Sequence, residues 1–177
     1  MTPRFIAVAA LTLALAAWPV ARGQEEDPFG RFAGVYVADS VEGHAETIHA
    51  AIQSGTEEMP GLRRNVARRR LSAVNRAVRT IELRADETSW LSVWDGHAYP
   101  APRNGGWREQ TDPEGKDVRV SYAIRGTCLV GRFVGGDGEK RVTFTPSEDG
   151  RRLRLTIVLS SDRLPADITY RLAYRRR

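Results

Sequence analysis

From Arg79 to the C-terminus apolar side chains recur at every second position, and no other feature of this chain restricts its fold so tightly. Val118, Val120, Tyr122 and Ile124 alternate with Arg119, Ser121, Ala123 and Arg125. Leu153, Leu155, Ile157 and Leu159 alternate with Arg152, Arg154, Thr156 and Val158. Ile168, Tyr170, Leu172 and Tyr174 alternate with Thr169, Arg171, Ala173 and Arg175. Side chains of a strand point to opposite faces in turn, so each segment has one apolar and one polar side. That pattern marks an antiparallel sheet packed on one face. Further strands are expected at 80–83, 89–94, 127–134 and 141–144. Glycine-containing turns punctuate the later ones, and 85–87 forms a hairpin turn. Residues 95–106, rich in Gly, Pro and Asn, read as a long loop with room for one short strand. The polar faces carry Arg152, Arg154, Arg171 and Arg175, which excludes a barrel whose outside meets lipid.

Upstream the period changes. Residues 32–38 (Phe-Ala-Gly-Val-Tyr-Val-Ala) form a first strand, and 42–53 a helix with Ile48, Ala51 and Ile52 on its apolar stripe. Asp39-Ser40 ends that strand and caps the helix. A second helix is expected from Gly61 to about Ala77. Leu62, Val66, Ala67, Leu71, Val74 and Ala77 fall in one half of its wheel, and Arg64, Arg68, Arg69 and Arg76 in the other. Arg63 and Arg70 break the pattern. The fold expected is therefore mainly β: a single antiparallel up-and-down barrel of about 8–9 strands, with a two-helix insert (42–77) after the first strand.

The N-terminus speaks to location. Met1 to Arg4 is cationic, Phe5 to Trp18 is apolar, and Ala21-Arg22-Gly23 places small residues at a signal-peptidase site. We expect a signal peptide at 1–23, cleavage before Gln24, a solvated lead-in at 24–31 and a barrel domain at 32–177. The apolar run is shorter than the ~20 residues a bilayer span needs. No other segment is long and apolar enough, so the mature chain is expected to have no transmembrane segment. A secreted or periplasmic location follows, without a lipid anchor because the leader holds no cysteine. Cys128 is the single cysteine, so packing rather than an intramolecular disulfide must hold the fold.

Catalytic signals are sparse. Glu46 and His49 have a metal-site spacing on one helical face, but a single copy reads as surface helix and no metal is expected. His97 beside Asp95-Gly96 fits a turn as well as acid–base chemistry. Gly135-Gly136-Asp137-Gly138 lies between two strands, so it is a hairpin turn and not a phosphate cradle. No nucleophile–base pair can be assembled, and the expectation is a non-catalytic protein without a cofactor. Arginines 63, 64, 68, 69, 70, 76 and 79 make a local positive field, since no acid interrupts 59–81. Such a helix is either a solvated face or a contact for anionic lipid or polymer through Arg64, Arg68, Arg69 and Arg76. Nucleic acid is not an expected partner at a net charge of +5, two arginines of which leave with the leader. Tyr36, Trp90, Trp94, Tyr122 and Tyr170 either line a ligand cavity or fill the core.

Asp27-Pro28-Phe29-Gly30-Arg31-Phe32-Ala33-Gly34-Val35-Tyr36 resembles the opening of lipocalins and wider calycin-like barrels, where Gly-x-Trp starts the first strand. Gly34 matches, and Tyr36 stands in place of the Trp. In that family an Arg on the last strand packs over the Trp, a part the resemblance gives to Arg171 or Arg175. The helical pair after the first strand departs from lipocalins, whose main helix is near the C-terminus. The resemblance implies a small apolar or amphipathic ligand held by the barrel.

Overall fold

A computed structural model describes residues 29–136 and 138–177. The leader, its cleavage point and residues 24–28 lie outside the described residues. Ten strands form one antiparallel sheet: β1 (Gly34–Ala38), β2 (Thr80–Ala85), β3 (Ser89–Trp94), β4 (His97–Pro102), β5 (Arg108–Thr111), β6 (Asp117–Arg125), β7 (Cys128–Gly135), β8 (Gly138–Pro146), β9 (Arg152–Ser160) and β10 (Ile168–Arg176). The spatial order is β4-β3-β2-β1-β10-β9-β8-β7-β6-β5, so first and last strands pair. β4 lies against β5 and β6 without a hydrogen-bonded ladder between β4 and β5, leaving a nearly closed barrel with one seam.

The strand count is a correction from 8–9 to ten: β4 is the one short strand that 95–106 had room for, and β5, just beyond that stretch, is the strand not expected. Both border the seam, which explains their disguise. β4 contains Pro100 and Pro102, and an edge strand tolerates proline where the missing N–H would face outward. Arg103 N–H donates toward β3 at Thr88 O, so the alternating positions 100 and 102 face away from it. β5 reads Arg-Glu-Gln-Thr, a short polar edge that shows no apolar alternation.

Between β1 and β2 stand α1 (Val41–Gly55) and α2 (Gly61–Val74). α2 is shorter than expected, ending at Val74, and Asn75 terminates it. Ser40 caps α1 by accepting from Gly43 N–H at 3.0 Å. His44, Ile48 and Ile52, one helical turn apart, are buried against the barrel. Gly55 sits so close to β10 that a Cβ there would lie 2.5 Å from Ile168 Cγ1. α2 rests on α1 and has no buried residue.

The strand directions give the barrel two unlike ends. The helices stand at one, with the 95–96, 112–116 and 161–167 turns; we call it the mouth. The opposite end is plugged. Phe29 and Phe32 are buried there, with the Phe29 ring 4.4 Å from that of Trp90. Phe29 thus corrects the expectation of a solvated stretch through residue 31. Tyr36 donates its hydroxyl to Phe32 O at 2.9 Å, and the Arg176 guanidinium lies 6.0 Å from the Tyr36 ring centre while donating to Ala33 O. The part that the resemblance gave to Arg171 or Arg175 falls to Arg176. Arg171 and Arg175 are exposed, on the outer phase of β10.

Candidate functional site

Barrel closure brings the inward phases of β3, β4 and β6–β8 together. Trp90, Ser92 and Trp94 of β3 face His97, Tyr99 and Ala101 of β4 on the same side of the sheet. Across the seam, Tyr122 of β6 contacts both strands: its hydroxyl is 2.6 Å from Ser92 Oγ and donates to Tyr99 O at 3.0 Å. Trp94 Nε1–H donates to Ser92 Oγ at 2.8 Å. Burial pushes the Tyr122 phenol well above its usual range, with the Ser92 bond opposing, and pushes Tyr99 up to about 12. These hydroxyls are neutral donors at any physiological pH.

An aromatic layer continues from this bridge. Phe133 of β7 meets Tyr99 at 5.2 Å and Tyr122 at 6.2 Å, both edge-on. Trp94 meets Phe133 at 6.2 Å and Phe144 at 6.1 Å. Gly131 keeps room for this layer, since a Cβ there would come 2.9 Å from the Tyr122 ring. The interior at mid-height is therefore spanned by side chains. Tyr36 belongs to the plugged end, and Tyr170 faces inward from β10 toward the helices. Its hydroxyl donates to Asn75 Oδ1 at 3.4 Å, tying α2's end to the barrel. All five aromatics singled out from sequence are inward or core residues, at different heights.

Above the aromatic layer, toward the mouth, the lining becomes polar. Lys140 of β8 pairs in register with Phe133 and places its ammonium 5.1 Å from the Trp94 ring centre. Desolvation lowers its pKa to about 8, against an opposing pull from Glu114. His97 Nε2 and Gln110 Nε2 are buried and have no hydrogen-bond partner among the described residues. At the ends of β5–β7 an open cleft of about 570 Å³ is lined mostly by outward-phase residues, among them Glu109, Thr111, Asp117, Arg119 and Val134, with Gln110, Val118 and Gly135 between them. Sequence reading missed Lys140 and Gln110, although Lys140's place on the Val142–Phe144 phase of β8 was a usable signal.

The arginines of α2 divide by role. Arg68 Nε donates to Thr56 Oγ1 at 2.9 Å and its Nη2 to Gln53 O at 3.0 Å, while Arg64 Nε donates to Met59 O at 3.1 Å. Arg68 therefore fastens α2 to the end of α1, and Arg64 ties it to the 56–60 connection. Arg76 donates to Ala73 O and lies 4.0 Å from Glu114. Arg69 and Arg63 are exposed, next to Leu62 at 82% exposure. Glu46 and His49 are exposed on α1, and His49 lies 3.3 Å from Gln53. Among the described residues, no three His, Cys, Asp or Glu side chains gather as a metal site.

These features define a calycin-fold barrel, and comparison with solved structures bears out that resemblance. Lipid binding protein 8 of Caenorhabditis elegans superposes with a TM-score of 0.52 at 11% identity, over 84% of this chain and 96% of that one. The fluorescent protein UnaG gives 0.53 at 14%, over 84% and 99%. Fatty-acid-binding protein 1 of Echinococcus granulosus gives 0.51 at 9%, over 83% and 98%. At these identities the likeness is one of fold. No protein-family model matches the chain, and no curated protein matches it by sequence.

Proposed function

We propose that this protein is a non-catalytic binder of a small apolar or amphipathic molecule, taken up at the mouth of the barrel. The observation that carries the reading is the contrast between the ends. Phe29, Phe32 and Arg176 close one, whereas at the other α1 buries a stripe against β10 and α2, which rests on α1, has no buried residue. α2, held this weakly, can move at low cost. Toward this end of the barrel lie aromatic faces and two buried, unpartnered polar groups, His97 Nε2 and Gln110 Nε2, the usual make-up of a small-molecule site. Proteins of similar fold include some whose names record lipid or fatty-acid binding, which agrees with this reading.

Titration with the methyl ester of 11-(dansylamino)undecanoic acid, followed by its emission, tests the proposal. Saturable binding with a blue shift is the expected result. Emission unchanged at micromolar protein would refute it.

A second reading concerns α2. Leu62, Val66 and the flanking Arg63 and Arg69 are exposed together, a combination suited to an anionic lipid surface. Salt-sensitive binding to anionic liposomes is expected, with loss on reversing Arg63 and Arg69 to Glu. Undiminished binding by that double variant would dismiss it. We further propose export to the periplasm or medium through residues 1–23. N-terminal sequencing of the protein from those fractions should begin at Gln24; a chain retaining Met1 inside the cell would refute this.

A further inference from the structure

We propose that the outer face of the β9–β10 pair docks a strand of acidic polysaccharide through Arg152, Arg154, Arg171 and Arg175. This surface is on the outside of the barrel wall, independent of any ligand within.

On the outer wall, arginines stand directly opposite each other in register at Arg132 with Arg141 and at Arg152 with Arg175. Like charges facing each other across paired strands oppose the pairing. At the first place the chain supplies the remedy itself. Arg132 Nε and Nη2 each donate to the Glu139 carboxylate at 2.8 Å, and the same carboxylate lies 3.6 Å from Arg141. The second place has no carboxylate between its arginines. Arg152 has Asp39 at 3.7 Å to one side while 72% of its side chain stays exposed. Arg175 has no ion pair among the described residues. Arg154, opposite Ala173, and Arg171, opposite Thr156, are diagonal neighbours on the same outward phase. Both are exposed, and neither has an ion pair among the described residues. Facing positions are about 5 Å apart and alternate positions along a strand about 7 Å. Guanidiniums repelling one another at that spacing are complementary to a partner with a row of anionic groups.

What bounds this strip narrows the partner. Glu148 and Asp149 are exposed on the turn before β9, and Asp162 and Asp167 on the connection before β10. Glu42 and Glu46 are exposed on α1, which packs against β10. A flat anionic bilayer laid on this face would meet those acids together with the arginines. The exposed large apolar side chains, Leu62, Val66, Val74 and Trp107, all lie elsewhere, so nothing here can enter a membrane. Single-stranded nucleic acid is held by aromatic faces on which its bases stack. The outward phase of β9 and β10 has no aromatic; beyond the arginines it carries Thr156, Val158, Ser160, Thr169 and Ala173. A glycan strand is narrow enough to lie between the bounding acids. Its anionic groups accept paired hydrogen bonds from the guanidiniums, and its hydroxyls meet Thr156, Ser160 and Thr169 where the arginines end. Docking is noncovalent throughout.

The probes are a fluorescein-labelled heparin dodecasaccharide, an oligothymidylate of matched charge and phosphatidylglycerol vesicles, each titrated with the full chain at low and high salt. Wild type should bind the saccharide saturably, more tightly than either comparator, and less tightly as salt rises. Arg154→Glu combined with Arg171→Glu should weaken saccharide binding at least about tenfold. Arg108→Glu combined with Arg125→Glu makes the same change of net charge at exposed arginines off the strip, and should weaken it less than about threefold. Arg154→Gln with Arg171→Gln serves as a second variant should charge reversal disturb the fold. Equal losses in the on-strip and off-strip variants would mean attraction to net charge alone and overturn the proposal. Tighter binding of the thymidylate or the vesicles by wild type, or no binding of the saccharide, overturns it as well.

Discussion

An ammonium facing an apolar interior opposes folding unless something inside answers it. Lys140 carries that cost in the free protein, with its pKa lowered to about 8 from an ordinary 10.5 by desolvation. The unfolded chain therefore binds more protons between those values, and stability rises with pH through that window. Lys140→Met should raise stability at pH 7 by about 1–2 kcal/mol, allowing for the water the side chain still meets. Chemical denaturation should show this advantage shrinking as pH climbs from 8 to 10.5. A pH-independent difference would mean that the amine is fully solvated. His44 behaves differently. Its Nε2 accepts from Ala173 N–H at 3.3 Å, and burial lowers its pKa against the pull of Asp39. The fold thus holds it neutral, and stability should fall as pH drops below about 6.5. His44→Leu should flatten that acid limb while costing about 1–3 kcal/mol for the orphaned Ala173 amide; urea melts at several pH values check both.

At the scale of elements, α1 and α2 are held in different ways. α1 buries a stripe against β10, whereas α2, with only Leu71 packed against the core, depends on the Arg68 bonds to Thr56 Oγ1 and Gln53 O at α1's end. Arg68→Ala removes both bonds and should cost about 1 kcal/mol. Amide exchange along 61–74 should accelerate while β8–β10 stay protected. Uniform acceleration would mean that the helices and barrel open as one unit. Period-two alternation made β6, β9 and β10 legible in the sequence, because each buries one face in a continuous core. It failed for β4 and β5, where an edge tolerates proline and polar side chains. Extended one step past Tyr174, the same alternation points to Arg176, not Arg171 or Arg175, as the inward arginine. The wheel of α2 placed Leu62 and Val66 together correctly, but no wheel reveals whether a partner covers them. Of the site, the aromatic lining was legible. The polar group above it was not, because Gln110 lies on an unrecognised strand and Lys140 gains its meaning only from what surrounds it in space.

For the whole molecule, the pairing of β1 with β10 makes the two ends unequal. The plugged end gathers Phe29, Phe32, Trp90, Tyr36 and Arg176 from both termini of the barrel and one hairpin. At the mouth, a seam, a weakly seated helix and unanswered nitrogens lie above a layer of aromatic rings. A ligand entering there would meet the Tyr99–Phe133–Trp94 surface before any deeper space. Heteronuclear NMR of the chain titrated with 11-(dansylamino)undecanoic acid tests this arrangement most directly. Saturable shifts are expected at Trp94, His97, Tyr99, Gln110, Phe133 and Lys140, with Phe29, Phe32 and Tyr36 unmoved. Shifts confined to the plugged end, or none at a saturating probe concentration, would contradict it.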